Sequence, residues 1–379
     1  MFMFRSRRSN LSKRLWKARV KRGGGSSNNN ETECETQTAT NNRNQSPPEY
    51  MVFDDLYGNN NSFEDAETVV RTDVLKKLKD HQLEMLLVAV ESRGADLSDC
   101  VLVPRGGTGD TEAHVRCCQV WRWPDLRHAA ELKRLPMCGS AKDPVYICCN
   151  PYHWSRLCQP DTPPPPYSLI MDRLKPEDRA PSEGPQDYRR LFPGSLTTNG
   201  EDPEMNSRVW CKLAYWELTQ RVGRLFPVEV PAVNVFSAQP HGDGLCLSTL
   251  AQHSFSPPES VKRTRAKIGL GVTLSQEMDG VWVYNRSDSP IFVNSPTLEE
   301  IEPHSVTVYR VGSGYSLCIF DYSKAAAGNF GWNFTNFTDG PVDRNSVRIS
   351  FAKGWGPNYS RPEVTACPCW LEVLLAPCR

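Results

Sequence analysis

Apolar residues recur at helical spacing in the first strongly patterned stretch of the chain. They are Val70, Val74, Leu78, Leu86, Leu87 and Val90, and Gly94 follows the run. Lysines at 76, 77 and 79 fall between them. Because an amphipathic helix shows this spacing and commonly ends at a glycine, the pattern predicts one long helix whose lysines face water.

Two strand-like runs follow this helix. They cover residues 100–104 and 114–123, and the turn-forming residues 106–110 (Gly-Gly-Thr-Gly-Asp) separate them. Short apolar runs bounded by turn residues are typical of strands. The region from 69 to 158 is therefore predicted to be a mixed helix-and-strand domain.

From residue 208 onwards, apolar and polar residues alternate. Such runs occupy residues 210–216, 228–236, 281–284, 307–311, 316–320 and 346–351, with Gly, Pro, Asn or Asp clusters between them. Many short alternating runs with turn signals predict a β-sandwich or barrel. Residues 324–327 are one of the few stretches with a helical pattern.

The remaining segments have little to bury. Residues 23–49 are rich in Gly, Ser, Asn, Thr and Gln, and residues 159–207 are rich in proline. Such compositions are typical of disordered tails and linkers. We therefore divide the chain into a basic and polar N-terminal tail (1–68), a first domain (69–158), a disordered Pro-rich linker (159–207) and a second domain (208–379).

Charge restricts the kinds of partner. Lys+Arg and Asp+Glu both number 44, so the net charge favours neither nucleic acid nor a membrane surface. Residues 1–22, however, carry nine Lys or Arg and no acid, which fits either an import or binding patch or a solvated tail. No secretory signal or membrane span is apparent, so we expect a cytosolic or nuclear protein with reduced cysteines.

Cysteine and histidine cluster near the end of the first domain. Cys138, Cys148, Cys149 and His153 lie within sixteen residues of one another (138–153), and Cys100 lies further upstream. Three thiolates and one imidazole would form a closed structural zinc site. The alternative is that these are small core residues, and the spacing does not distinguish Cys148 from Cys149.

The linker contains the sequence Asp-Thr-Pro-Pro-Pro-Pro-Tyr-Ser at residues 161–168. Consecutive prolines favour an exposed polyproline II segment, which WW domains bind when it ends in Pro-Pro-x-Tyr. The motif comprises Pro164, Pro165, Pro166 and Tyr167. The alternative is a rigid spacer with no partner of its own.

Two basic stretches lie in the second domain, at residues 262–267 and 353–361. Lysine and arginine on loops suit phosphate groups, although solvated surface charge is the simpler interpretation of either stretch alone. Catalytic motifs are absent: the chain has no GxGxxG, GxxxxGK[ST], HExxH or GxSxG sequence. We therefore predict a protein that is not an enzyme.

These motifs together resemble the SMAD family. Residues 120–126 (Val-Trp-Arg-Trp-Pro-Asp-Leu) and 148–153 (Cys-Cys-Asn-Pro-Tyr-His) resemble its zinc-containing MH1 domain. Five further stretches resemble the MH2 domain of the family: residues 210–216, 268–269, 290–293, 351–356 and 367–370. The proline motif, the start Phe4-Arg5-Ser6 and the end Ala376-Pro377-Cys378-Arg379 favour the inhibitory branch.

The resemblance implies a multidomain fold. It comprises an α+β MH1-like domain, the disordered linker and an all-β MH2 sandwich flanked by helices and loops. It also implies one structural Zn²⁺ held by Cys100, Cys138, Cys148 and His153. A receptor- and phosphate-binding surface is implied at Arg263, Lys267, Lys353 and Arg361.

The function implied is antagonism of TGF-β/BMP signalling in the nucleus and cytoplasm. The expected partners are activated type I receptors and receptor-activated and common SMADs. Through Pro164–Tyr167 the chain would also recruit WW-domain HECT ubiquitin ligases. Transcriptional co-repressors are a further expected class of partner, and we expect no membrane insertion.

Two departures from the family pattern refine this expectation. No serine follows Ser360, so the chain lacks the phosphorylated tail of receptor-activated SMADs. In the DNA-reading hairpin, residues 105–114 carry Gly, Thr, Asp110 and Glu112, which are poor donors to base edges. We therefore expect weak or no sequence-specific DNA binding. The alternative function is a DNA-binding transcriptional co-repressor that acts through the MH1-like domain.

Overall fold

A computed structural model describes residues 2–20, 67–68, 70–95, 98–105, 113–158, 209–238, 244–253, 257–298, 307–327 and 343–376. The chain forms two compact units. Unit 1 draws its described residues from Met1–Gly94, Ser98–Ala129 and Cys138–His153, and unit 2 from Ala95–Leu97, Ala130–Met137 and Trp154–Arg379. None of the described helices has the length and apolar character that a bilayer span requires.

Unit 1 consists of helices around a small sheet. The helices are α1 (Phe2–Lys17), a π-helical turn (Val70–Val74), α2 (Leu75–Lys77), α3 (Asp80–Glu91) and α4 (Ala113–Trp121). Strands β1 (Leu102–Pro104) and β3 (Tyr146–Cys148) pair antiparallel, and a 3-10 turn, Pro151–His153, follows. The predicted mixed helix-and-strand composition is therefore found in this unit.

The prediction that the first 68 residues form a tail is wrong for residues 2–17, which form helix α1. Leu11 and Leu15 on this helix are buried, and the Trp121 indole donates to the Leu15 carbonyl at 3.1 Å. The basic residues of the segment find acidic partners in unit 1: Arg8–Asp80 at 2.9 Å, Arg14–Glu91 at 2.7 Å, Arg19–Glu67 at 2.9 Å, and Arg7–Glu84. The charged segment therefore folds because it pairs with acidic residues that are distant in sequence.

The single long helix predicted after residue 69 is interrupted. Leu78 adopts an extended conformation (ψ 140°), and α3 begins after Lys79, whose backbone N–H donates to the Gln82 side chain at 2.9 Å. Arg8 accounts for the break, because its guanidinium donates to the carbonyls of Leu75 and Leu78, both at 2.8 Å. A helix end whose carbonyls gain a cationic donor is stabilised there.

The predicted strand at residues 114–123 is a helix, α4. Its residues from His114 to Trp121 are buried with the exception of Arg116, so the segment shows no polar face. An apolar run of this kind does not distinguish a buried helix from a buried strand. Helix α3 ends at Glu91, and Arg93 (φ 52°) and Gly94 (φ 75°) follow it in the left-handed region, so the predicted glycine lies three residues beyond the helix end.

Removing the Leu15 side chain should measure how tightly α1 is held. Leu15 is 0% exposed, so Leu15→Ala is expected to lower the free energy of unfolding of unit 1 by about 3 kcal/mol. Urea denaturation followed by tryptophan fluorescence would measure this. Lys13→Ala, an exposed site on the same helix, is the control, and equal stability of the two variants would contradict the docking of α1.

Unit 2 contains two sheets. The seven-stranded sheet has the order β2-β4-β13-β10-β9-β7-β8, and the six-stranded sheet has the order β12-β11-β14-β15-β5-β6. The strands of the first sheet are β2 (Leu132–Arg134), β4 (Trp154–Leu157), β7 (Ala232–Phe236), β8 (Gly244–Cys246), β9 (Val272–Gln276), β10 (Gly280–Asn285) and β13 (Tyr315–Asp321). Those of the second are β5 (Cys211–Glu217), β6 (Gln220–Val228), β11 (Ile291–Asn294), β12 (Tyr309–Val311), β14 (Ser346–Phe351) and β15 (Trp370–Leu375).

One hydrophobic cluster joins the two sheets. Val235, Leu274 and Val283 from the first sheet and Ile349 and Leu371 from the second belong to it, and each is 0% exposed. This confirms the predicted β-sandwich. Helices α5 (Leu247–Leu250), α6 (Glu259–Ile268) and α7 (Tyr322–Ala326) flank the sheets, together with 3-10 turns at Ala129–Glu131, Ala251–His253 and Val364–Ala366.

A row of aromatic residues crosses the opposite face of the six-stranded sheet. Phe292 pairs with Ser350, Ser350 with Trp370, and Trp370 with Trp216. The rings of Trp216 and Trp370 stack at 5.1 Å. Because side chains alternate along a strand, this row lies on the face away from the sandwich core and needs a separate cover.

Candidate metal centre and basic surface

Four side chains of unit 1 converge through its small sheet. Cys148 ends β3, and β3 pairs with β1 so that Leu102 lies opposite Cys148 and places Cys100 nearby. His153 ends the 3-10 turn Pro151–His153, and Cys138 lies between β2 and β3. The ligand atoms of Cys100, Cys138, Cys148 and His153 all lie within 4.8 Å of one another.

The distances suit a tetrahedral metal site. The Sγ atoms of Cys100 and Cys138 are 3.7 Å apart, and His153 Nδ1 lies 3.5 Å from the Sγ atoms of both Cys100 and Cys148. Zinc bonds of about 2.3 Å to sulfur and about 2.0 Å to nitrogen give tetrahedral edges of roughly 3.8 Å for S···S and 3.5 Å for S···N. Three thiols and one imidazole with these edges are compatible with Zn²⁺.

The histidine is oriented by its surroundings. Its Nε2 lies 2.8 Å from the Ser98 carbonyl, which accepts a hydrogen bond from Nε2–H, so that the unprotonated Nδ1 faces the thiols. Asn150, which is 0% exposed, fixes this loop: its amide donates to Ser98 Oγ at 2.7 Å, and its carbonyl accepts from Tyr152 N at 3.0 Å. The sequence could not reveal the role of Ser98, because its backbone carbonyl is the acceptor and any residue type could supply one.

Strand alternation separates the two adjacent cysteines. Cys148 joins the cluster, whereas the Cys149 thiol hydrogen-bonds to Cys117 of α4. Burial, and then this hydrogen bond, raise the pKa of the Cys117 thiol. Cys149 is therefore a core thiol, and the choice that spacing left open is resolved by the direction of the two side chains.

The cluster already favours a thiolate. A hydrogen bond with Cys148 lowers the pKa of Cys138 to about 3, and the same bond raises the pKa of Cys148. Burial raises the pKa of Cys100. Since metals bind the deprotonated thiol, the lowered pKa of Cys138 favours metal binding, and binding would release protons from the cluster.

The first predicted basic stretch lies on helix α6. Val261, Thr264 and Ile268 of α6 are buried, so the helix packs one face against unit 2. Arg263 and Lys267 are exposed and lie four residues apart, hence on one face of the helix. The role of Arg263 and Lys267 was expected from the resemblance to the SMAD family and not from the periodicity of the sequence.

A half-buried ion pair fixes α6 to the sheet. Arg265 donates to both carboxylate oxygens of Glu217 at 2.5 and 2.7 Å, and Tyr215 donates to Glu217 at 2.9 Å. Glu217 hydrogen bonding raises the pKa of Arg265, and burial raises that of Tyr215. Sequence reasoning missed this pair, because no local pattern relates residues 48 positions apart.

The second basic stretch is a loop held by its aromatic residues. Trp355 is 2% exposed and packs with Phe292 and Trp370, so the loop covers the aromatic row of the six-stranded sheet. Gly354 is required because a Cβ there would lie 2.4 Å from Tyr359 Cε1, and Gly356 has φ of +94°. The Lys353 carbonyl accepts from Ser350 Oγ at 2.7 Å, which positions the residue next to the sheet.

One short segment contacts both basic stretches. Cys369 Sγ lies 3.8 Å from the Val261 carbonyl of α6, and Cys367 Sγ lies 3.6 Å from the Lys353 carbonyl. Residues 367–369 therefore bring the helix and the loop together. Arg361 differs from the expectation of a surface cation, since it is buried with 7% exposure. It belongs to the interior of the loop.

Two predicted sites fall outside the described residues. These are the proline motif Pro164–Tyr167 and most of the hairpin expected to face DNA, residues 106–112. Among the cysteines that the structure describes, all are free thiols.

The family comparisons cover both units. The MH1 domain family matches residues 67–158, and the MH2 domain family matches residues 208–376. The crystal structure of the interferon regulatory factor 9 IAD domain covers 46% of this chain and 90% of its own, with 15% identity and a TM-score of 0.29. That similarity is too low to bear on the fold.

Individual relatives agree with the domain matches. Mothers against decapentaplegic homolog 6 of Gallus gallus is 47% identical over 319 residues, covering 80% of this chain and 73% of that protein. Mothers against decapentaplegic homolog 7 of Homo sapiens is 43% identical over 327 residues, covering 79% and 76%. Residues 345–350 (Asn-Ser-Val-Arg-Ile-Ser) predict the same order of similarity, since they resemble the sixth family member more than the seventh. The chain therefore belongs to the inhibitory branch of the SMAD family, which acts in TGF-β/BMP signalling.

Proposed function

We propose that the chain is a non-enzymatic adaptor that antagonises TGF-β/BMP receptor signalling. Its MH2 domain would dock on phosphorylated type I receptors, or on receptor-activated and common SMADs, through a basic surface formed by Arg263, Lys267 and Lys353. The observation that supports this is the proximity of α6 and the Lys353 loop, which both contact residues 367–369. Two elements would then present cations to one phosphorylated partner.

Arg361 has a different role in this proposal. Because its side chain is 7% exposed, it would support the loop from within and would not reach a phosphate. A charge reversal at Arg361 would leave a buried acid in the loop, so any loss of binding would report misfolding. The surface is better tested through Lys267 and Lys353.

Reversing these two lysines should abolish receptor capture. Each charge-assisted contact contributes roughly 1.5–3 kcal/mol, so Lys267→Glu with Lys353→Glu should weaken binding by about a hundredfold or more. Co-precipitation with activated type I receptors would measure this. Arg221→Glu with Arg224→Glu changes the same charge on exposed β6 residues and should bind normally. Undiminished binding by the lysine double variant would refute the proposed surface.

We also propose that Pro164, Pro165, Pro166 and Tyr167 recruit a WW-domain HECT ubiquitin ligase. A polyproline segment has little conformational entropy to lose on binding, and the tyrosine supplies an aromatic anchor. Tyr167→Ala should therefore reduce ligase co-precipitation to background while receptor binding persists. Tyr188→Ala, in the same predicted linker, is the matched control. Normal ligase capture by the Tyr167 variant would contradict this proposal and indicate that the segment is only a spacer.

The metal proposed for Cys100, Cys138, Cys148 and His153 is one structural Zn²⁺. Four protein ligands would close its coordination sphere, so the ion would stabilise the fold and would not activate water. Its role would be to join β1, β3 and the 3-10 turn. The donor set and its spacing support zinc over harder ions, which prefer oxygen ligands.

The ion pairs of the basic N-terminal segment argue against the alternative, a DNA-binding co-repressor. Arg8, Arg14 and Arg19 are engaged by carboxylates of unit 1, which reduces the positive charge available to phosphates. A gel shift with the full chain at about 150 mM salt tests this, since non-specific binding fades steeply with salt. We propose that the protein works in both nucleus and cytoplasm, with co-repressors as partners only in the nucleus.

A further inference from the structure

Both cations that helix α6 contributes to the proposed docking surface lie on one side of the helix. Arg263 and Lys267 are exposed, and they follow Ser260 by three and by seven residues. Residues three apart are neighbours on a helix surface, and residues seven apart differ in direction by only about 20°. Ser260 therefore begins a stripe that continues through Arg263 to Lys267.

The Ser260 side chain is accessible. It is partly exposed, and its hydroxyl has no hydrogen-bond partner in the described part of the chain, although its carbonyl accepts from Thr264 Oγ1 at 2.9 Å. The helix begins after Pro258, whose side chain supplies no cap. A helix end without a side-chain cap frays more readily than a capped one. The first turn of α6 therefore opens readily to an enzyme that acts on Ser260.

An acid in this first turn already contacts the basic face. One Glu259 carboxylate oxygen lies 3.5 Å from Arg263 Nε, and the other lies 3.9 Å from Lys262 Nζ. The Glu259 side chain is 60% exposed, so these pairs are weak. They nevertheless show that an anion at the start of α6 reaches the cations that follow it. A phosphate on the next residue would carry a charge of about −2 and would lie closer to the direction of Lys267.

We propose that Ser260 is a phosphorylation site and that its phosphate switches off the docking face of α6. The residues that follow the acceptor are Val261, Lys262 and Arg263. Cations at the second and third positions suit a serine kinase whose substrate groove is acidic. In the reaction, Ser260 Oγ would bond to the γ-phosphorus of ATP, and the bond from that phosphorus to the bridging oxygen of ADP would break. The hydroxyl proton would pass to the catalytic carboxylate of the kinase.

The phosphate would act through its charge. Its oxygens would accept hydrogen bonds from the Arg263 guanidinium and from the backbone N–H groups of the uncapped first turn. Arg263 and Lys267 would then face an anion on their own helix, and the receptor's phosphate would meet a like charge. This regulation rests on the proposed function, whereas the modification and its contact with Arg263 do not.

Mass spectrometry of the full chain tests the acceptor. Incubation with ATP and a serine kinase that selects basic residues after its acceptor should place phosphate on Ser260. Lys262→Gln with Arg263→Gln should lower this incorporation about tenfold. Arg221→Gln with Arg224→Gln, on exposed residues of β6, should leave it unchanged. Absence of phosphate on Ser260 would refute the site, and so would equal incorporation in the two double variants.

Phosphorus NMR tests the contact with the basic face. Genetic incorporation of phosphoserine in place of Ser260 gives a homogeneous full chain. The second pKa of its phosphate should lie below the value of about 6 that an isolated phosphoserine shows, because Arg263 favours the dianion. Arg263→Gln should raise that pKa, whereas Arg224→Gln should leave it unchanged. A pKa that does not respond to Arg263→Gln would contradict the contact.

Receptor binding tests the switch. The chain with phosphoserine in place of Ser260 should bind activated type I receptors about tenfold more weakly than the unmodified chain. Phosphoserine in place of Ser313, an exposed turn residue of the same unit, should leave binding unchanged. Equal binding of the two phosphorylated chains would overturn the switch. Failure of the unmodified chain to bind would instead overturn the proposed function, and the switch with it, while the phosphate's pKa would still decide the contact with Arg263.

Discussion

Replacing Cys148 with serine should remove the bound metal and unfold unit 1, while Cys149→Ser should retain the metal. Both residues are buried, but only the Cys148 thiol points to the cluster with Cys100, Cys138 and His153. Zinc binding contributes about 10–16 kcal/mol in small structural sites. This equals or exceeds the 5–15 kcal/mol net stability of a typical domain.

Two measurements on the full chain would check this. Elemental analysis should find one zinc per chain in the wild type and in Cys149→Ser, and none in Cys148→Ser. Helical circular dichroism should fall in the Cys148 variant, because α1, α3 and α4 belong to unit 1. One zinc per chain in Cys148→Ser would contradict the ligand set. A fold that persists without metal would show that the site stabilises less than we expect.

Replacing Glu217 with alanine should destabilise unit 2 by roughly 1.5–3 kcal/mol. The side chain is 9% exposed, so its removal would leave the Arg265 guanidinium and the Tyr215 hydroxyl without their acceptor. Because the Arg265 side chain is 26% exposed, water would compensate part of its charge, and the loss is that of hydrogen bonds to a charged group. Helix α6 should loosen, since Arg265 is its charged attachment to β5.

An acid on helix α6 itself provides the control. Glu259 pairs with Arg263 at 3.5 Å, but its side chain is 60% exposed. Glu259→Ala should therefore change stability little, as is usual for exposed pairs. Chemical denaturation of both variants compares them directly. Equal effects would mean that the Glu217–Arg265 pair is solvated in solution and does not fix α6.

Patterns that repeat locally were predicted correctly. Alternation over residues 346–351 predicted β14, and the turn residues between such runs predicted a sandwich. Helix α4 was mistaken for a strand because its surroundings bury it on all sides, and burial of this kind removes the polar face that marks a helix. The segment was assigned wrongly because it has no polar face to contrast with an apolar one, and not because its hydrophobicity was misjudged.

Features that join distant residues could not be predicted from the sequence. The tail prediction for residues 2–17 treated the arginines as unpaired, while their partners Asp80 and Glu91 lie more than 70 positions away. Arg361 was expected at the surface because it ends a basic loop, yet Trp355 draws that loop onto the sheet. Local charge indicates solvent exposure only where no distant group can compensate for it.

The position of the metal ligands along the chain has a consequence for the sandwich. Three of the four, Cys138, Cys148 and His153, lie in the connection between β2 and β4. A bound ion would shorten the free part of that connection. Without it, bringing β2 and β4 together would require closing a flexible loop of about nineteen residues, at an entropic cost of roughly 2–3 kcal/mol. A bound ion would therefore favour the pairing of β2 with β4 by roughly the same amount.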